Sequence, residues 1–152
     1  MIGGIFLTVV TAIILTLYLT LQKPLEYDHY FGGDYNYVKE NYDQIVRDSN
    51  IFDTRYSIAP PEKPEQGANQ LKISIVSKQD ATPVANAEIR ALFTRPATNA
   101  QDIALGTLEY SGGVYSSESF EIWAKGTWIL ELSIDIDNLK AHRSFEFEYP
   151  EN

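Results

Sequence analysis

Residues 2–21 read IGGIFLTVVTAIILTLYLTL, twenty positions without a charged side chain. As a helix such a run is about 30 Å long, which matches the hydrocarbon thickness of a bilayer. The expectation is a membrane-spanning anchor over residues 1–22. A cleaved signal peptide would carry basic residues ahead of a shorter apolar run and small residues at its end. Here no Lys or Arg precedes the run and Gln22-Lys23-Pro24 follow it, so the segment is read as retained. The positive-inside rule has little to count, and it favours an amino terminus on the cytoplasmic side.

Within the run, Gly4, Thr8, Ala12, Thr16 and Thr20 recur every fourth position, with Thr11 beside them, while Ile5, Phe6, Ile13, Ile14, Leu17 and Leu21 are bulky. Four residues turn a helix by about 400°, so the small side chains form a slowly drifting groove. Such a seam lets a second transmembrane helix approach closely. The plain alternative is that Gly, Ala and Thr are common in single-span anchors. Tyr18, Lys23, Tyr27, Tyr30 and Phe31 suit the headgroup layer, where amphipathic rings and long cationic stems settle. The aromatics beyond the span, continued by Tyr35, Tyr37 and Tyr42, suit packing on the extramembrane domain equally well.

All 12 Lys+Arg and all 21 Asp+Glu lie beyond residue 22, which gives that part the whole net charge of −9. About 130 residues suffice for one domain and hardly for two. An acidic surface without a basic cluster argues against nucleic-acid binding. With Cys 0, disulfides, thiol catalysis, iron–sulfur ligation and thiolate metal sites are excluded together. Copper needs soft or imidazole ligands, and the chain offers Met1, His29 and His142, too scattered to converge. His142 is read as a solvated residue on a strand-connecting turn. No G-x-S-x-G, H-E-x-x-H or phosphate-cradling glycine loop is present. Glu131, Asp135, Asp137, Glu146 and Glu148 fall on outward strand positions, where charge is expected as a solvated face. A calcium pair at Asp135 and Asp137 follows equally from simple alternation. The expectation is a non-enzyme with no catalytic residue, no cofactor and no metal.

Organisation follows from periodicity. Residues 23–58 form a juxtamembrane aromatic segment, in which Asp34 caps a helix over about 34–49. Its stripe is Tyr35, Val38, Tyr42, Ile45 and Val46, set to pack on the domain or the bilayer. Residues 51–58 read as a short strand. The Pro-rich stretch within 59–70 breaks all period and reads as a linker. Over 71–152 the period becomes two. Leu71, Ile73 and Ile75, then Ala87, Ile89, Ala91 and Phe93, then Trp128, Leu130, Leu132, Ile134 and Ile136, then Phe145, Phe147 and Tyr149 each line one face of a strand. Segments 105–110 and 114–122 are joined through Ser111-Gly112-Gly113, a tight-hairpin signal. The fold expected is mainly β: one transmembrane helix, a short amphipathic helix, then an antiparallel, immunoglobulin-like β-sandwich.

Three stretches carry a family resemblance. Tyr30-Phe31-Gly32-Gly33-Asp34-Tyr35-Asn36 is similar to a Y-x-x-G-x-x-Y-N region. Thr82-Pro83-Val84-Ala85-Asn86-Ala87-Glu88-Ile89 with Phe93-Thr94-Arg95-Pro96-Ala97-Thr98 is similar to G-x-P-V-x-G-A-x-V and F-x-R-P-T. Gly113-Val114-Tyr115 with Gly126-Thr127-Trp128-Ile129-Leu130-Glu131-Leu132 is similar to G-x-Y and G-x-W-x-L. In this order, behind an anchor, they resemble the FixH/CcoH family along nearly the whole chain. Ala81 and Asn86 stand where that family usually has glycine, and Ala97 interrupts its Pro-Thr pair. The resemblance implies a bacterial inner-membrane protein with its domain in the periplasm. It implies an assembly or stability factor, or accessory subunit, of a cbb3-type cytochrome oxidase. Its partners would be integral-membrane oxidase subunits and the lipid bilayer, with a copper-transporting ATPase as an indirect one. The rival expectation is a ligand- or metal-binding sensor, for which Trp123, Trp128, Tyr110 and Tyr115 would have to line one deep pocket.

Overall fold

The computed structural model describes residues 35–96 and 98–149. The expected span, its seam Gly4, Thr8, Thr11, Ala12, Thr16 and Thr20, and the interface residues Tyr18, Lys23, Tyr27, Tyr30 and Phe31 lie outside the described residues, as do Asp34 and Ala97. Among the described residues no helix is long and apolar enough to cross a membrane. The elements are helix α1 (Tyr35–Arg55) and strands β1 (Tyr56–Ile58), β2 (Gly67–Ile73), β3 (Ile75–Ser77), β4 (Glu88–Arg95), β5 (Thr98–Thr107), β6 (Glu109–Ser111), β7 (Val114–Ile122), β8 (Gly126–Ile136) and β9 (Leu139–Tyr149).

Alternation sets the architecture. The inward positions expected on β4 and β8 are buried: Ile89, Ala91 and Phe93 on the first, Trp128, Leu130, Leu132, Ile134 and Ile136 on the second. These strands pair antiparallel within a sheet of order β5-β4-β8-β9. A second sheet, β2-β7-β6, supplies Leu71, Ile73, Tyr115, Phe120 and Ile122 to the same core. Stacking of Phe93 on Phe120, centroids 5.2 Å apart, shows that the two inner faces meet. The result is a mainly β, antiparallel sandwich of two sheets, with a small β1-β3 ribbon beside it. Each fully buried Leu or Ile contributes about 1.5–3 kcal/mol, so this shared core dominates stability.

The hairpin signal is realised. Ser111 pairs with Val114 across Gly112 (φ 59) and Gly113 (φ 93), the double positive φ that a two-residue turn of this hand requires. Two expected strands are divided instead. Residues 71–76 break at Ser74 into β2 and β3, which belong to different sheets. Residues 105–110 break at buried Leu108, whose amide donates to Ile89 O at 2.8 Å while the chain crosses from one sheet to the other.

Helix α1 runs six residues past its expected end at Ser49, so the amino-terminal half of the strand expected over 51–58 is helical. Arg143 explains why. Its guanidinium lies 5.0 Å over the Phe52 ring and bonds both Ser49 and Asp53, three residues that share a side only at the helical i, i+3, i+4 spacing. Phe52 is 1% exposed within the sandwich core. The last carbonyls are also satisfied, since Lys78 donates its amide to Arg55 O and its Nζ to Asp53 O. The side turned to the sandwich is thus buried Phe52 with half-buried Ser49 and Ile45, and of the expected stripe Tyr42 (58% exposed) and Val46 (39%) face away from it.

Candidate functional site

The Pro-rich segment after β1 is a strap on the fold rather than a free linker. Pro64 is buried, and its carbonyl accepts the Tyr149 hydroxyl at 2.5 Å. Lys63 donates to Glu148 O and sits 4.5 Å over the Tyr149 ring. Asn69 closes the far end, accepting from Glu65 N (2.8 Å) and donating to Glu65 O (2.6 Å) and Gly67 O (2.8 Å). Between the strap and the outer edge of β2 runs a groove of about 610 Å³, lined by residues including Pro61, Lys63, Gln70, Lys72 and Ser74. Burial in this arrangement raises the Tyr149 pKa above its ordinary value.

The same end of the sandwich holds the β7–β8 turn. Arg95 reaches from β4 to donate to Lys125 O (2.8 Å) and to Gln101 (2.5 Å), and lies 5.6 Å over the Trp128 ring. Gly126, at φ +100, leaves room for it: a Cβ there would stand 2.7 Å from Arg95 Nη2. Trp128 is buried and donates to Ala124 O at 2.9 Å. Trp123 is the opposite case, 69% exposed, with the tip of its ring 3.7 Å from where a Cβ on Gly67 would stand and its Nε1 donating to Glu121 at 2.8 Å.

Tyr110 and Tyr115 lie at the other end, beside the Gly112-Gly113 turn, with ring centroids 4.9 Å apart. Tyr115 is buried. Its hydroxyl donates to Val84 O (2.8 Å) and accepts from Ala87 N (3.0 Å), and burial raises its pKa. The four aromatics of the sensor expectation are therefore split between two ends of the sandwich.

Asp137 is not an outward strand carboxylate. It sits in the β8–β9 turn at φ 51 and accepts from Tyr56 OH (3.2 Å) and Asn86 Nδ2 (3.0 Å), tying β1 and the β3–β4 loop to that turn. Burial first, then the hydrogen bond and charge of Asp137, raises the Tyr56 pKa. His142 lies within β9 opposite Ser133, partly buried, and not on a turn as expected. Burial, then the charges of Arg143 and Lys140, holds its pKa below the usual imidazole value. On the outer face of the four-stranded sheet, Glu88 stands opposite Asp135, which stands opposite Lys140, and Glu88 pairs with Arg90 at 2.5 Å. Thr127 donates to Glu148 at 2.5 Å. Among the described residues no group of three or more His, Cys, Asp or Glu is placed to hold a metal ion. Among the described residues, Asp137 and Arg95 brace the loops at the two ends of the sandwich.

A family model described as YtkA-like matches residues 48–133, from within α1 to most of β8. No curated protein matches the chain. Among solved structures, the PKD domain of an M14-like peptidase from Thermoplasmatales archaeon SCGC AB-540-F20 is 18% identical, covering 64% of this chain and 94% of that chain at a TM-score of 0.29.

Proposed function

The chain belongs to the YtkA-like family, and from that premise we propose that it is a membrane-anchored, non-catalytic binding protein of the FixH/CcoH type. It serves as an assembly or stability factor, or an accessory subunit, of a cbb3-type cytochrome c oxidase in a bacterial inner membrane. Its amino terminus is cytoplasmic and its sandwich periplasmic. The observation that carries the reading is the seating of α1: Phe52 and Arg143 join the helix to the sandwich core, so the domain moves as one body with the helix that leads back toward the span. A protein that positions a domain beside membrane subunits needs that rigidity. The sensor reading needs one aromatic pocket, and Trp123 and Trp128 lie at the opposite end from Tyr110 and Tyr115.

The test is mild-detergent co-purification of the tagged full chain, with mass spectrometry of the proteins that accompany it. Oxidase subunits are the expected result, and Thr8→Leu with Ala12→Leu should reduce their recovery while preserving insertion, because bulky side chains fill the seam. Ile13→Leu with Ile14→Leu, on other faces, should not. Recovery of no oxidase subunit from an inserted, folded chain would overturn the proposal.

A further inference from the structure

We infer that the end of the sandwich bearing Trp123 faces the bilayer and rests that indole in the phospholipid headgroup layer, an inference that rests on the membrane-anchored reading above. The polarity of the fold comes first. The carboxyl end of α1 is fixed at the Asp137 end of the sandwich, where Arg55 O takes the Lys78 amide and Tyr56 bonds Asp137. Within the two preceding turns, Asp53 and then Ser49 meet Arg143, further along β9. Going back along α1 therefore leads up β9, away from Asp137 and toward the Tyr149 end. A 21-residue helix is about 30 Å long and an 11-residue strand about 36 Å, so a helix held to this direction reaches about as far as the strand does. The amino-terminal end of α1 thus points to the end of the sandwich that carries Trp123, Lys125 and the strap. The uncharged run 2–21 precedes that helix by little more than a dozen residues, at most about 45 Å of chain, and so joins the molecule at the end toward which α1 leads.

Side-chain distribution agrees. Among the described residues Trp123 is the most exposed of the large apolar side chains and lies at this end, and Tyr42, the next, lies on the half of α1 that leads to it; Val46, Ile51 and Tyr110 are less exposed. Lys63 brings a cationic stem to the same end, among the carboxylates of Glu121 and Glu148. Indole and lysine are the side chains that settle at headgroup level, an apolar body with a polar tip. Depth is set by Glu121: its carboxylate bonded to Trp123 Nε1 is too costly to bring into hydrocarbon, so the ring stays shallow.

The full chain reconstituted in phosphatidylcholine–phosphatidylglycerol vesicles tests this, with lipids brominated near the glycerol end of their acyl chains. Trp128 is buried, so the difference between the chain and Trp123→Phe isolates the Trp123 emission. That component should be lost to bromolipid and shielded from aqueous acrylamide. Flotation separates the two levels of the argument. A chain that does not float with the vesicles overturns the anchored reading itself. A chain that floats, yet keeps Trp123 emission with bromolipid and loses it to acrylamide, leaves the anchor standing and overturns this inference. Shielding of Trp123 that appears only once oxidase is added also overturns it, since the occupant would then be protein.

Discussion

Gly126 and Arg95 are a coupled pair whose logic is steric. An alanine at 126 adopts a φ near +100 that L side chains avoid and meets Arg95 Nη2 at 2.7 Å, so Gly126→Ala should cost about 2–3 kcal/mol. In an Arg95→Ala background the clash disappears and the backbone strain remains, so the penalty should fall to about 1–2 kcal/mol. Urea unfolding of the four variants measures the coupling, and equal penalties in both backgrounds would refute it. The glycine of the G-x-W stretch is visible in the sequence, but its reason is not, because Arg95 comes from another strand. Ala81 shows the reverse: it stands where the resembling family usually has glycine, and its φ of 57 shows why glycine suits the site.

His142 makes a pH-dependent contribution of known sign. Burial and two neighbouring cations lower its folded pKa below the 6.5 of the unfolded chain. Above that value both states are neutral and the group contributes nothing adverse; as pH falls below it, the unfolded chain takes the proton first and stability declines. His142→Gln should flatten the stability profile between neutral pH and about pH 5. Superimposable slopes for the two proteins, by urea midpoint, would refute this.

At the scale of elements, the joint between α1 and β9 combines an apolar and a polar contact of unequal weight. Phe52→Ala removes a fully buried ring and should cost about 3–5 kcal/mol. Arg143→Met keeps an apolar stem near Phe52 and loses a pair whose Asp53 side chain is 62% exposed, so about 1–2 kcal/mol is expected. Hydrogen exchange distinguishes them. Arg143→Met should loosen α1 amides while β8 stays protected, and Phe52→Ala should lower protection in both. Strands β4 and β8 and the later half of β9 are legible in the sequence because apolar and polar residues alternate within each, whereas the first half of β9, around His142, reads as a turn. The end of α1 is not, since Phe52 and Tyr56 fit one face of a strand as well as a helix, and Arg143, which decides it, is about ninety residues away. The strap reads as a linker for a related reason: three prolines erase local period, and its partners Tyr149 and Glu148 are at the far end of the chain.

At the scale of the whole molecule, sheet pairing is beyond local reading, because the division of residues 71–76 and 105–110 between sheets depends on which distant strand each half meets. The candidate surface divides similarly. Trp123 stands out in the sequence as an aromatic, yet its exposure follows from the turn that sends Trp128 inward, and the expected pocket dissolves once the register places Tyr110 and Tyr115 at the opposite end. The seating of α1 on β9 makes the helix a shaft keyed to the sandwich, with angular phase as its consequence. Each residue added to a helix turns the chain beyond it by about 100° and advances it by about 1.5 Å. One or two alanines inserted before Ile45 should leave the fold intact but swing the sandwich about the helix axis, and oxidase recovery should drop. Seven should return it to within about 20° of its bearing, and recovery should climb again. A monotonic loss with insert length would mean that reach matters and azimuth does not.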